Sequence, residues 1–97
     1  MLPVTYTPAA KKYFKKIKEK ALAKAFKDAV IAIRKNPEIG VAKTGDLSGV
    51  FCLNLYYNST NYELAYRIST LENGEMVVII MAGTRENFYN ELKRYLR

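Results

Sequence analysis

The run Met76-Val77-Val78-Ile79-Ile80-Met81-Ala82 is nearly continuously apolar and follows a tight-turn signal at Asn73-Gly74. Such a run suits a central strand buried on both faces, so it fixes the middle of a sheet. Its neighbours are legible upstream. Val50 to Tyr57 is rich in β-forming residues, Asn58-Ser59-Thr60-Asn61 is a turn cluster, and Tyr62 to Ser69 reads as the partner strand. Three strands that meander in this way are antiparallel.

The first half of the chain carries helical spacing instead. Leu2 to Tyr6 reads as a short strand, and Thr7-Pro8 reads as an N-cap with proline at the first helical position. Tyr13, Phe14 and Ile17, extended by Ala10 and Ala21, form one apolar face; Leu22, Phe26, Ala29, Val30 and Ile33 form a second. The two series are out of phase, which predicts two helices in a hairpin broken near Lys18 to Ala21, with one long helix changing its buried face as the alternative. Asn36-Pro37 ends the second helix, because the residue before proline is steered away from helical geometry. Ile39 to Ser48 reads as a glycine-flanked loop. Thr84 to Leu96 reads as a last helix burying Phe88, Leu92 and Tyr95 or Leu96. The expected architecture is a single α+β domain over residues 1–97, in the order β-α-α-β-β-β-α. Its four-stranded, mostly antiparallel sheet is expected to carry the helices on one face and leave the other for a ligand.

Composition narrows the chemistry. The formal charge is +7, there is no histidine and there is one cysteine, Cys52. A basic domain attracts polyanions by counterion release, although solubility alone also favours such a charge. Without histidine the commonest general base and metal ligand are gone, so neither a metal site nor a cofactor is expected. A single cysteine allows no internal disulfide. The opening residues show no signal-peptide pattern and no stretch is apolar enough to span a membrane, so a cytoplasmic protein is expected.

Three segments carry a family resemblance over essentially the whole chain. Ala82-Gly83-Thr84-Arg85-Glu86-Asn87-Phe88-Tyr89 resembles the glycine, basic residue and tyrosine that follow the last strand in the RelE branch of the RelE/ParE toxin superfamily. Tyr62-Glu63-Leu64-Ala65-Tyr66-Arg67-Ile68 is similar to that branch's tyrosine-arginine-leucine-x-tyrosine strand, and Lys43 through Gly49 to the segment entering the preceding strand. The resemblance implies a toxin of a type II toxin-antitoxin system that cleaves mRNA on the ribosome without metal, by attack of a ribose 2′-hydroxyl on the adjacent phosphate. It also implies a cognate antitoxin as partner. Such chemistry needs a base, cations for the crowded phosphate and an acid for the leaving oxygen.

Arg85 matches a functional arginine of the family, placed where a strand gives way to a helix; a solvated arginine in a turn is the plain alternative. In that role it serves the transition state, and its removal is expected to leave the melting temperature unchanged. Strand alternation puts Glu63, Ala65 and Arg67 on the open face, where Arg67 is a second phosphate-binding candidate or a salt-bridge partner of Glu63. Glu63 departs from the family, which often has a basic residue here; it is expected to act as general base, as carboxylates do in some relatives, or to mark catalysis that is rearranged or lost. Cys52, Asn54 and Tyr56 share the same face where relatives often have lysine or arginine, and Asn54 and Tyr56 are candidates for holding a base. In the family a tyrosine matching Tyr89 stacks on a nucleobase or donates a proton, whereas packing is the commoner role of a helical tyrosine. Phe88 reads as core.

The helical hairpin is almost uniformly cationic. Lys11, Lys12, Lys15 and Lys16 lead a series opposed only by Glu19 and Asp28, too few for i, i+4 pairing to explain it. A charge run on a helix is usually its solvated face; docking on ribosomal RNA can explain the uniform sign, with Lys43 adding to the same field from the loop. Two rivals remain at this level: a ParE-like inhibitor of DNA gyrase, and a noncatalytic ribosome- or nucleic-acid-binding protein.

Overall fold

The computed structural model describes Met1–Arg97. A short strand β1 (Val4–Tyr6) leads into α1 (Pro8–Lys16) and α2 (Lys20–Lys35). Strands β2 (Val41–Ala42), β3 (Phe51–Tyr57), β4 (Thr60–Leu71) and β5 (Gly74–Thr84) follow, and α3 (Phe88–Leu96) closes the chain. The strands form one sheet in the order β1-β5-β4-β3-β2. The α+β class is as expected, and so is the element order apart from the added strand β2.

Local chemistry explains the boundaries. The Thr7 hydroxyl accepts from the Ala10 N–H and caps α1, with Pro8 in its first turn. The phase slip is a real break: Ile17 and Glu19 are extended, and the hairpin turns between them. Asn58 and Ser59, with φ of 49° and 62°, make a two-residue turn whose left-handed residues match the twist of the flanking strands. That turn sets the register, Tyr57 opposite Thr60 and Asn54 opposite Glu63.

Three details of the expected architecture are corrected. The sheet has five strands rather than four, because Val41-Ala42, inside the segment read as loop, pairs with Phe51-Cys52. Nor do all helices share one face. α1, through Ala10, and α2, through Phe26, Val30 and Ile33, pack on one face against Leu64, Tyr66, Val77 and Ile79. α3 packs on the other, with Phe88 and Leu92 against Cys52, Ala65 and Ile80. The central run explains this: Val77 and Ile79 point one way and Ile80 the other, so both faces of β5 need apolar cover. A bulge helps, since Ala65 pairs with Met81 and Tyr66 with Ile79, leaving Ile80 and Met81 both facing α3. β5 also runs through Thr84, so the last helix starts at Phe88 rather than Thr84.

Candidate functional site

The face under α3 is only partly covered. Rows run across it strand by strand: Cys52, Ala65 and Met81 lie beneath the helix, then Asn54, Glu63 and Gly83, then Tyr56 and Asn61. Arg85 extends the last row, its backbone N–H donating to the Asn61 carbonyl at 2.9 Å. The first row is apolar. The second holds the molecule's one buried charged side chain, Glu63, at 3% exposure.

Burying a carboxylate is costly unless its oxygens are satisfied, and here they are. Glu63 Oε2 accepts from Asn54 Nδ2 at 3.0 Å and from Arg85 Nε at 3.1 Å, while Oε1 accepts from the Tyr89 hydroxyl at 3.1 Å. Three elements thereby converge: β3 supplies Asn54, the turn after β5 supplies Arg85, and the first turn of α3 supplies Tyr89. Asn87, in the left-handed conformation at φ 62°, turns the chain from Arg85 into the helix that carries Tyr89. Arg85 uses only its Nε on Glu63, so the two terminal nitrogens of its half-exposed guanidinium remain available to an anion.

Lys43 completes the cluster. Its Nζ lies 4.6 Å from the centroid of the Tyr89 ring, a cation over an aromatic face. Burial first, and Glu63 after it, hold the Tyr89 hydroxyl above its ordinary pKa, while Lys43 pulls it partway back. Beneath them Cys52 is pushed up to about 11 by burial. A thiol so raised is not a nucleophile near neutrality.

The expected site residues therefore divide into groups. Glu63, Arg85, Tyr89, Asn54 and Lys43 come together, and Asn54 proves to be an anchor for the carboxylate. Tyr56 stands one row outward, exposed. Arg67 lies outside the cluster: it is exposed, two strand repeats from Glu63, and has neither a hydrogen bond nor an ion pair. The Glu63–Arg67 bridge considered from alternation is absent, because the carboxylate is already taken by Arg85. Arg85 is correspondingly more than a solvated turn residue. Lys11, Lys12, Lys15 and Lys16 sit on α1, across the sheet from Glu63. The Asn54–Glu63 pairing had a signal in sequence: once the turn is two residues long, register arithmetic sets the two opposite each other. No three histidine, cysteine, aspartate or glutamate side chains gather to hold a metal. No helix is long and apolar enough to cross a membrane.

The fold as a whole is shared with toxins of known structure. A mutant of E. coli toxin RelE in the free state superposes with a TM-score of 0.71 at 17% identity, covering 97% of this chain and 92% of that one. The YoeB/ParE toxin from Agrobacterium tumefaciens gives 0.70 at 12% identity, over 87% and 99%. The toxin-antitoxin complex RelBE2 from Mycobacterium tuberculosis gives 0.66 at 26% identity, over 87% and 98%. No curated protein matches significantly by sequence. The fold is thus that of RelE-like toxins. The chain belongs to the family of ParE-like toxins of type II bacterial toxin-antitoxin systems, which it matches over residues 4–93.

Proposed function

We propose that this toxin is a metal-independent endoribonuclease that cuts mRNA on the ribosome and is silenced by a cognate antitoxin. The observation that carries the reading is the buried Glu63 carboxylate that aims Arg85 and Tyr89 at one open rim of the sheet. Antitoxin complexes among the structural relatives support the partner.

The chemistry can be assigned atom by atom. The substrate's 2′-oxygen attacks the adjacent phosphorus as the bond to the 5′-oxygen breaks, giving a 2′,3′-cyclic phosphate and a 5′-hydroxyl end. Glu63 is too buried to meet the 2′-hydroxyl itself, so it takes the proton through Tyr89. The tyrosine oxygen receives the proton from the 2′-hydroxyl while its own passes to Glu63 Oε1 along the existing hydrogen bond. The free edge of Arg85 binds the phosphate oxygens, where negative charge grows in the transition state. Lys43 beside Tyr89 supplies a second cation and the proton for the leaving oxygen.

Gyrase inhibition is the rival that the ParE-like family description supports, but it makes no use of a buried carboxylate tied to an arginine and a tyrosine. The experiment is single-turnover cleavage on saturating programmed ribosomes, with mapping of mRNA 5′ ends, beside a gyrase supercoiling assay. Arg85→Ala should cut about 100- to 1000-fold more slowly than wild type, and Arg85→Lys should recover part of that loss, keeping charge but not the fork. Intact mRNA with inhibited supercoiling would replace this reading with the rival.

A further inference from the structure

We infer that Tyr56, and not Tyr89, is the platform on which a nucleobase of the bound RNA stacks; the inference rests on the ribonuclease reading above. The two tyrosines face the same side of the sheet but differ in what their rings have left to offer. The Tyr89 hydroxyl is spent on Glu63. Its ring stands edge-to-face with Phe88 at 5.6 Å, and Lys43 occupies a face at 4.6 Å. A base arriving there would have to displace an ammonium. The Tyr56 side chain is unencumbered: the residue is 66% exposed, and the side chain forms no hydrogen bond and pairs with no other ring.

Its position suits the role. Tyr56 is opposite Asn61, and Asn61 is bound to the Arg85 backbone. Tyr56 and Arg85 therefore lie on one row across three adjacent chain segments, roughly 10 Å apart from Cα to Cα at about 4.8 Å per strand. Arg85 leans from that row toward Glu63. One nucleotide, with its phosphate at the free edge of Arg85 and its sugar between, reaches from there to a ring standing on Tyr56. Alternation forces the exposure: Leu55 and Tyr57 go to the hairpin core, so Tyr56 must point to the α3 side, beyond the end of that helix's cover. Stacking on an open tyrosine face is sequence-tolerant, so this interaction selects for the presence of a base at that position more than for its identity.

The test uses the whole chain and a short single-stranded RNA carrying one 2′-deoxy sugar at the scissile position, so that it binds without being cut. Binding is read by tyrosine fluorescence, which no tryptophan obscures, and by NMR shifts. Each position of the oligonucleotide is also made abasic in turn. Tyr56→Ala should weaken the complete oligonucleotide about 5- to 100-fold, Tyr56→Phe should bind as wild type, and Tyr89→Phe should bind within a few-fold. At one position, abasic RNA should bind the wild type as weakly as complete RNA binds Tyr56→Ala, and the two changes together should cost no more than either alone. If wild type binds and Tyr56→Ala binds equally, or if its loss persists undiminished with every abasic RNA, the inference fails and the ribonuclease reading stands. If Tyr56→Ala loses only antitoxin binding, Tyr56 belongs to the protein interface and the inference likewise fails. A wild type that binds no RNA and cuts none on ribosomes overturns both.

Discussion

On the face covered by α1 and α2, the buried residues are apolar apart from the Tyr66 hydroxyl, and rings of Tyr13, Phe14, Phe26 and Tyr62 meet edge-on. On the face covered by α3, a smaller cluster around Phe88 and Leu92 gives way within one row to a buried carboxylate. The first arrangement gains stability from every side chain it buries. The second uses part of its interior to desolvate a charge, which is favourable only while Asn54, Arg85 and Tyr89 all remain in place. Stability and chemistry are thus divided between the two faces of one sheet. Substitutions on the hairpin face should act through folding, and those on the α3 face through the site.

The largest effect is expected at Phe26, which is 2% exposed and touches three other rings. Phe26→Ala removes a ring that the rigid sheet cannot collapse to replace, at a cost of about 3–5 kcal/mol. Urea titration should show a stability loss of that size, and the folded fraction that remains should cleave at the wild-type rate. A slower rate per folded molecule would mean that the faces are coupled.

Next comes Arg85, where the structure revises the expectation of an unchanged melting temperature. Arg85→Ala leaves Glu63 buried without its cation, and a group so stranded costs about 1–3 kcal/mol. Arg67, on the same face with no partner, provides the control: Arg67→Ala should shift stability by less than about 0.5 kcal/mol. Equal melting temperatures for the two variants would show that Asn54 and Tyr89 suffice to hold the carboxylate.

The hairpin face was readable in the sequence because it rests on periodicity: Leu22, Phe26, Val30 and Ile33 announce one helix stripe, and Leu64 and Tyr66 the facing strand. Phe88 and Leu92 were equally plain as buried, yet periodicity says only that a helix packs and not on which side of the sheet. β2 escaped because two residues carry no alternation. At the site, Glu63, Arg85 and Tyr89 were nameable from type and family likeness. Their mutual hydrogen bonds depend on three long-range placements, which no local pattern encodes. Alternation places Arg67 on the same face as Glu63 but carries no distance along it, so their separation is not legible in sequence.

A smaller effect concerns Cys52, which lies under α3 in the apolar row beside the site. Its thiol titrates near 11 when folded, against an ordinary value of 9.0, because burial disfavours the thiolate. Between those values the unfolded chain has lost its proton and the folded chain retains it. Stability therefore falls as pH rises from about 9 toward 11, by on the order of 1–2 kcal/mol. Tyrosines titrate nearby, so the comparison is with Cys52→Ala, whose stability profile should be flatter by that amount. Iodoacetamide at pH 8 should modify the native thiol far more slowly than the urea-unfolded one. Rapid native alkylation would show that α3 opens readily and that the site's cover is loose.

The smallest effect on stability, and the sharpest separation of the two faces, is expected for the hairpin lysines. Lys11, Lys12, Lys15 and Lys16 are all exposed and form no ion pair, the hairpin's one salt bridge being Lys24 to Asp28. Replacing all four with glutamine removes no packing and should change folding free energy by no more than about 0.5 kcal/mol per site. If the hairpin docks on ribosomal RNA, each lysine–phosphate pair removed should lower the salt dependence of ribosome binding by about one unit. Because these residues lie across the sheet from Glu63, the deficit should vanish once ribosomes are saturating: binding weakens and the single-turnover rate stays at the wild-type value. Arg85→Ala should show the reverse, near-normal docking with slow cleavage. A quadruple variant that docks normally at every salt concentration would remove the hairpin from the interface and leave recognition to the α3 face. One that docks normally but cuts slowly would show that the hairpin lysines act on the chemistry through the sheet, and the division of labour between the two faces would fall.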